Sequence, residues 1–293
     1  MAQDIRDIPF IGHDDVVDLN FIRKPCPYIF RRHYRQGLRS HIMEVLRPEH
    51  IEKEVSGTLV NGRLWYPRAR PQRIFRIFRT RLGTLADALD EIARVKILEQ
   101  YLAPVFLAKS EEFVVDYVGP EGGDIMLCGF QEFVEGEILD PWGVLDPAKL
   151  MMTMYHRLHG DNAPTGAEET RWTNAARAKA DLFIARIKQM IVEKKHLPDL
   201  AGVGNLVMVA SGDIKLVDLN NISRVVLNAE IFLDDRGYPV CDKSIEALAL
   251  LERSLLNRPI DTGEPIYRNF LDPKRMKDVK DLEAAFYRSR PTP

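Results

Sequence analysis

The chain has 293 residues, 45% hydrophobic and 29% charged, which suits one large folded domain or two lobes sharing a cleft. Its formal charge of −2 hides an asymmetry: residues 1–81 carry 16 Lys/Arg against 9 Asp/Glu, and the remainder 25 against 34. An anion-binding surface or two mutually attracting halves would follow, and neither needs nucleic acid. The three scattered cysteines, Cys26, Cys128 and Cys241, exclude a paired-cysteine metal site and predict a reducing compartment. The acidic start and the lack of an 18-residue apolar run lead to the expectation of a cytoplasmic chain with no membrane.

Residues 1–48 read as a basic N-terminal extension, with "KPCP" as a breaker and "FRRHYRQGLRSHIMEVLRP" predicted as a basic helix ending before Pro48. From 51 to 80 the pattern predicts three antiparallel strands, "IEKEVSGTLV", "RLWYPRAR" and "RIFRIFRTR". The first two are joined at Asn61-Gly62, a pair that tolerates the positive φ of a type I′ turn. Apolar residues at Leu85, Leu89, Ile92, Val95, Leu98 and Leu102 recur every three or four positions and predict an amphipathic helix over 84–102. Two more strands, "EFVVDYV" and "DIMLCGFQEFV", flank the turn "GPEGG". After Gly136 helices are predicted near 147–159, 171–195, 242–256 and 273–288, interrupted by "GNLVMVASGDIKLVDLN", two apolar strands around Ser211-Gly212-Asp213. The expectation is an α+β chain: a β-rich part over 49–134 and a helical part over 135–293 with one embedded β-hairpin.

This order of elements, with three local patterns, resembles the protein kinase-like superfamily, including its bacterial and aminoglycoside-phosphotransferase-like members. The resemblance spans roughly 50–260 and implies a two-lobed fold, with a small antiparallel N-lobe bearing one helix and a larger helical C-lobe. The hairpin is similar to the one that holds magnesium, which implies Asn205 and Asp218 as metal ligands; a hairpin returns the chain, so two distant oxygens meet at one end of a ladder. "QEFVEGEIL" resembles the hinge, which implies that the backbone of Glu132, Phe133 and Val134 binds adenine. "HLPDLAGVGN" resembles the catalytic loop and implies Asp199 as the residue that orients or deprotonates an acceptor hydroxyl. Its spacing to Asn205 is one residue longer than usual in the family, and Gly202 and Gly204 could absorb the extra residue.

Two departures stand against efficient catalysis. Where the family carries a phosphate-gripping Lys on the third strand, this chain offers Arg76 or Arg79, with Glu91 as the helix partner and Glu99 behind it. The first hairpin also lacks a glycine-rich loop. The expectations are therefore a magnesium-dependent phosphotransferase using ATP on an unidentified small-molecule or protein acceptor, or a pseudokinase that binds nucleotide or protein. Asp242 is expected to cap and anchor the large helix, and "HGD" at 159–161 to be a helix terminus.

Overall fold

The computed structural model describes residues 3–34, 37, 39–143, 147–160 and 163–288. The chain is α+β, with an antiparallel sheet in its N-terminal part and mostly helices in its C-terminal part. It divides into two compact units, Met1–Ala93 with Ala108–Phe133, and Arg94–Leu107 with Val134–Pro293.

In the first unit a short helix α1 (His13–Val17) precedes strands β1 (Ile29–Arg32) and β2 (Ser40–Leu46), then helix α2 (Pro48–Ser56). A hairpin of β3 (Thr58–Val60) and β4 (Arg63–Trp65) follows, then β5 (Arg73–Phe78), helix α3 (Leu85–Leu102), whose residues from Arg94 on belong to the second unit, β6 (Ser110–Gly119) and β7 (Gly122–Glu132). Five strands form one antiparallel sheet in the order β1-β2-β5-β7-β6. Alternation along β5 gives it two buried faces. Phe75 and Ile77 join Met43, Met126 and Cys128 under the N-terminal residues Ile5, Ile11, Val16 and Leu19. Phe78 joins Leu127, Ala88 and Ile92, the last two from the N-terminal half of α3.

Five strands were expected, but two of the members differ. The stretch predicted as a basic helix within an extension is instead β1 and β2 of this sheet. Its polar residues are satisfied across strands: Arg31 Nε and the His33 ring donate to the two oxygens of buried Glu44 at 2.8 and 2.9 Å, and the His41 ring donates to the Ile5 carbonyl at 2.9 Å. Residues 51–56, predicted as strand, form α2, which starts with Pro48 in its first turn and ends at Gly57 with φ 75°. The hairpin β3–β4 is consequently a separate two-stranded sheet, turning through Asn61 (φ 50°) and Gly62 (φ 74°) as the Asn-Gly signal predicts. On α3, Val95, Leu98 and Leu102 are buried, whereas Leu85 and Leu89 are exposed and Ala88 takes the inward place.

The second unit contains β8 (Glu137–Ile138), helices α4 (Pro147–His159) and α5 (Ala167–Lys194), then β9 (His196–Pro198), β10 (Leu206–Met208), β11 (Ile214–Leu216) and β12 (Ile222–Arg224). Helices α6 (Val240–Leu256), α7 (Pro265–Phe270) and α8 (Pro273–Arg288) complete it. Its core joins Phe183, Ile187 and Met190 of α5 to Ile245, Leu248 and Leu251 of α6 and to Leu206, Met208, Ile214 and Leu216 of the hairpin. His159 and Gly160 end α4 as expected, while Asp161 lies outside the described residues. Asp242 is not a cap: the cap position is Pro239, and Asp242 lies inside the first turn of α6, buried against Arg275 of α8. The Arg275 guanidinium also donates to the Asn228 and Glu230 carbonyls, so the buried charge is fully engaged.

Candidate functional site

Two antiparallel ladders are nested between residues 196 and 224. The outer one pairs β9 with β12, Pro198 opposite Ile222, and the inner one pairs β10 with β11, Leu206 opposite Leu216. The chain crosses from outer to inner ladder at 199–205 and returns at 217–221, so these polar segments must lie side by side. Backbone bonds fasten them at both ends: Asp199 N–H donates to the Asn221 carbonyl at 2.8 Å, and Val217 N–H to the Asn205 carbonyl at 2.9 Å. The expected site residues of this unit, Asp199, Asn205 and Asp218, thereby come together although 19 positions separate the first from the last.

Each side chain is then oriented by local bonds. Asp199 Oδ1 accepts the N–H groups of Ala201 and Gly202 at 2.9 and 3.1 Å, and Oδ2 accepts Asn221 Nδ2 at 3.2 Å. Asn205 Nδ2 donates to the Asp199 carbonyl at 2.9 Å, which turns its amide oxygen the opposite way. Gly202 lies so close to that amide that a Cβ would overlap it. Asp218 Oδ1 accepts the Asn220 N–H at 3.1 Å. Burial first, and the Asp218 carboxylate second, push the Asp199 carboxyl up to about 6, against the opposing effect of its three N–H donors.

The sequence reading missed two members of this cluster, Asn220 and Asn221. Asn220 Oδ1 is buried and has no hydrogen-bond partner among the described residues. Asn220 and Asn221 stand in the run "DLNN", two and three positions after the expected metal ligand Asp218. Asp218, Asn205 and Asn220 thus offer hard oxygens, one of them unsatisfied, a donor set that fits magnesium. Among the described residues no group of three His, Cys, Asp or Glu side chains is arranged for a metal ion, so further ligands would have to be phosphate or water.

The hairpin is held from behind. Trp172 Nε1 donates to the Ala210 carbonyl and Lys179 Nζ to the Ser211 carbonyl, while Lys179 also pairs with Asp213 at 3.0 Å. Ahead of it, Trp142 Nε1 donates to the Ala201 carbonyl, and Ser244 Oγ accepts the Leu200 N–H.

The remaining expected residues, Val134 excepted, belong to the first unit. Arg76 is buried on β5, and its Nη2 is 2.7 Å from Oε1 of buried Glu112 on β6. Gly129 lies between them in register and leaves the guanidinium room. The sequence did not single out Glu112. Arg79 Nε donates to the Arg6 carbonyl at 2.7 Å, holding the N-terminal segment. Glu91 is half-buried on α3. Glu132 ends β7, its N–H bonded to the Lys109 carbonyl, and Phe133 stands edge-on to the His33 ring. Val134 opens the second unit.

No protein-family model matches the chain, and a search of curated proteins finds no similar sequence. No helix of the described residues is long and apolar enough to cross a membrane.

Proposed function

We propose that the chain is a magnesium-dependent, ATP-using phosphotransferase with a two-lobed protein kinase-like fold. One observation carries this reading: the nested ladders hold Asp199, Asn205 and Asp218 in one cluster, with the Asn205 amide fastened to the Asp199 backbone. In this role Asp218 and Asn205 would hold the metal, and the unpartnered Asn220 oxygen two residues after Asp218 is a further candidate donor. The cation would supply neutralisation of phosphate charge. Asp199 orients an acceptor hydroxyl or takes its proton, and Oδ2 is the oxygen less occupied by backbone donors. The backbone at Glu132–Val134 is assigned to adenine, and the acceptor is a small molecule or a protein.

A second reading, a nucleotide- or protein-binding regulatory module without transfer, is favoured by the first unit. Arg76 is committed to Glu112 in a buried ion pair, where a phosphate grip calls for an exposed cation. Gly57 precedes the short hairpin and Gly62 lies in its two-residue turn, and the two form no glycine-rich loop.

The discriminating experiment is thermal unfolding with ATP, with and without Mg²⁺, on the native chain and on Asp218→Asn, combined with ATP turnover by Asp199→Asn. A Mg²⁺-dependent rise in midpoint that Asp218→Asn loses supports the site, and turnover that Asp199→Asn lowers at least a hundredfold supports transfer. A rise with no turnover favours the regulatory module. No rise in any combination rejects both nucleotide readings.

A further inference from the structure

The hairpin β3–β4 poses a separate problem. It forms a two-stranded sheet of its own, and isolated ribbons of this size are marginal in water. Its register sets Leu59 opposite Leu64 on one face, and Thr58 opposite Trp65 and Val60 opposite Arg63 on the other. Leu59, Val60, Leu64, Trp65 and the following Tyr66 are all 50–71% exposed. A strand that covers a protein core alternates apolar and polar residues. This ribbon carries exposed apolar side chains on both faces, Leu59 and Leu64 on one and Val60 and Trp65 on the other.

One flat protein surface can cover only one of those faces. A medium that surrounds the ribbon can cover both, and the interfacial layer of a bilayer is such a medium; Trp and Tyr are the side chains favoured there. Charge selects the kind of bilayer. From Gly57 to Gln72 the chain carries Arg63, Arg68 and Arg70 and no acidic residue. We propose that β3–β4 is a peripheral docking element that lies in the headgroup region of an anionic lipid surface, with Leu59, Leu64 and Trp65 as apolar anchors and Arg63 against lipid phosphate. Single-stranded nucleic acid would also meet Arg and Trp, but it leaves the aliphatic pair Leu59 and Leu64 without a role. The expectation of no membrane came from the lack of a spanning segment, and an interfacial hairpin requires none. The inference stands whether or not the second unit transfers phosphate.

The test is co-sedimentation of the full chain with vesicles of phosphatidylcholine alone and of phosphatidylcholine mixed with phosphatidylglycerol. Native chain is compared with Leu59→Ser/Trp65→Ser and with Arg63→Glu. All three positions are exposed, so an unchanged thermal midpoint verifies that the variants fold. Binding should require the anionic lipid, weaken with salt, and fall roughly tenfold or more in each variant. Vesicles should also shift the native tryptophan emission to the blue, a shift that Trp65→Phe abolishes. Lack of binding to either vesicle overturns the proposal, as does equal binding by the double-serine variant. A concentration-dependent dimer that this variant abolishes overturns it too, in favour of a second copy of the chain as the occupant.

Discussion

Asp199 has its carboxyl near 6, where an exposed aspartate has 3.8. Between about pH 4 and 6 the folded chain therefore keeps a proton that the unfolded chain has released. Stability must fall as pH rises through that window, by an amount on the order of 3 kcal/mol for this group. Urea unfolding in metal-free buffer at about pH 4.5 and about pH 7 measures the difference, and Asp199→Asn should remove that component. An undiminished slope in the variant would place the titrating group elsewhere. At this scale the site was half legible. Asp199, Asn205 and Asp218 were readable because a hairpin converts spacing along the chain into proximity. Asn220 and Asn221 were not, because an amide after a turn carries no pattern until its neighbours across the ladder are known. Glu112 was hidden similarly: a glutamate on a strand reads as solvent-facing until a buried arginine is found opposite.

At the scale of elements, close approaches fix where strands and helices meet. Gly136 precedes β8 and lies against β10, where a Cβ would overlap the Met208 carbonyl. Gly136→Ala should cost about 1–3 kcal/mol, read as a lower denaturant midpoint at unchanged slope. Asp242 and Arg275 join α6 to α8 as a buried ion pair. Asp242→Ala should cost about 3–5 kcal/mol by stranding the guanidinium, and joint replacement by Leu and Met should recover much of that in the same measurement. The helices expected near 147–159, 171–195, 242–256 and 273–288 correspond to α4, α5, α6 and α8. The strands β1 and β2 were not legible, since His33, His41 and Glu44 are polar yet buried, and only once folded do His33 and Glu44 satisfy each other and His41 reach the Ile5 carbonyl. Helix α2, none of whose residues is buried, has no apolar stripe to announce it.

For the whole molecule, the three tryptophans offer a division of labour. Trp65 lies in the first unit, and Trp142 and Trp172 lie in the second, beside the site. In Trp65→Phe, fluorescence reports the second unit alone. ATP and Mg²⁺ at about 100 times their dissociation constant should raise its stability by roughly 2.7 kcal/mol, seen as a later fluorescence transition. An unchanged transition would separate the site from any nucleotide effect seen by other probes.

The two hairpin turns also differ in how much added sequence they can carry. At Asn61-Gly62 both faces meet open space, and a Cβ on Gly62 would touch nothing within 4 Å. At Ser211-Gly212 the turn is clamped by Trp172 and Lys179, and a Cβ on Gly212 would meet Ala176 at 2.8 Å. Length variation and inserted tags should therefore be accommodated at the first turn and rejected at the second. A fluorescent label or affinity peptide grafted at position 61 would ride on the folded protein, while the same graft at 211 would pull the polar cluster apart.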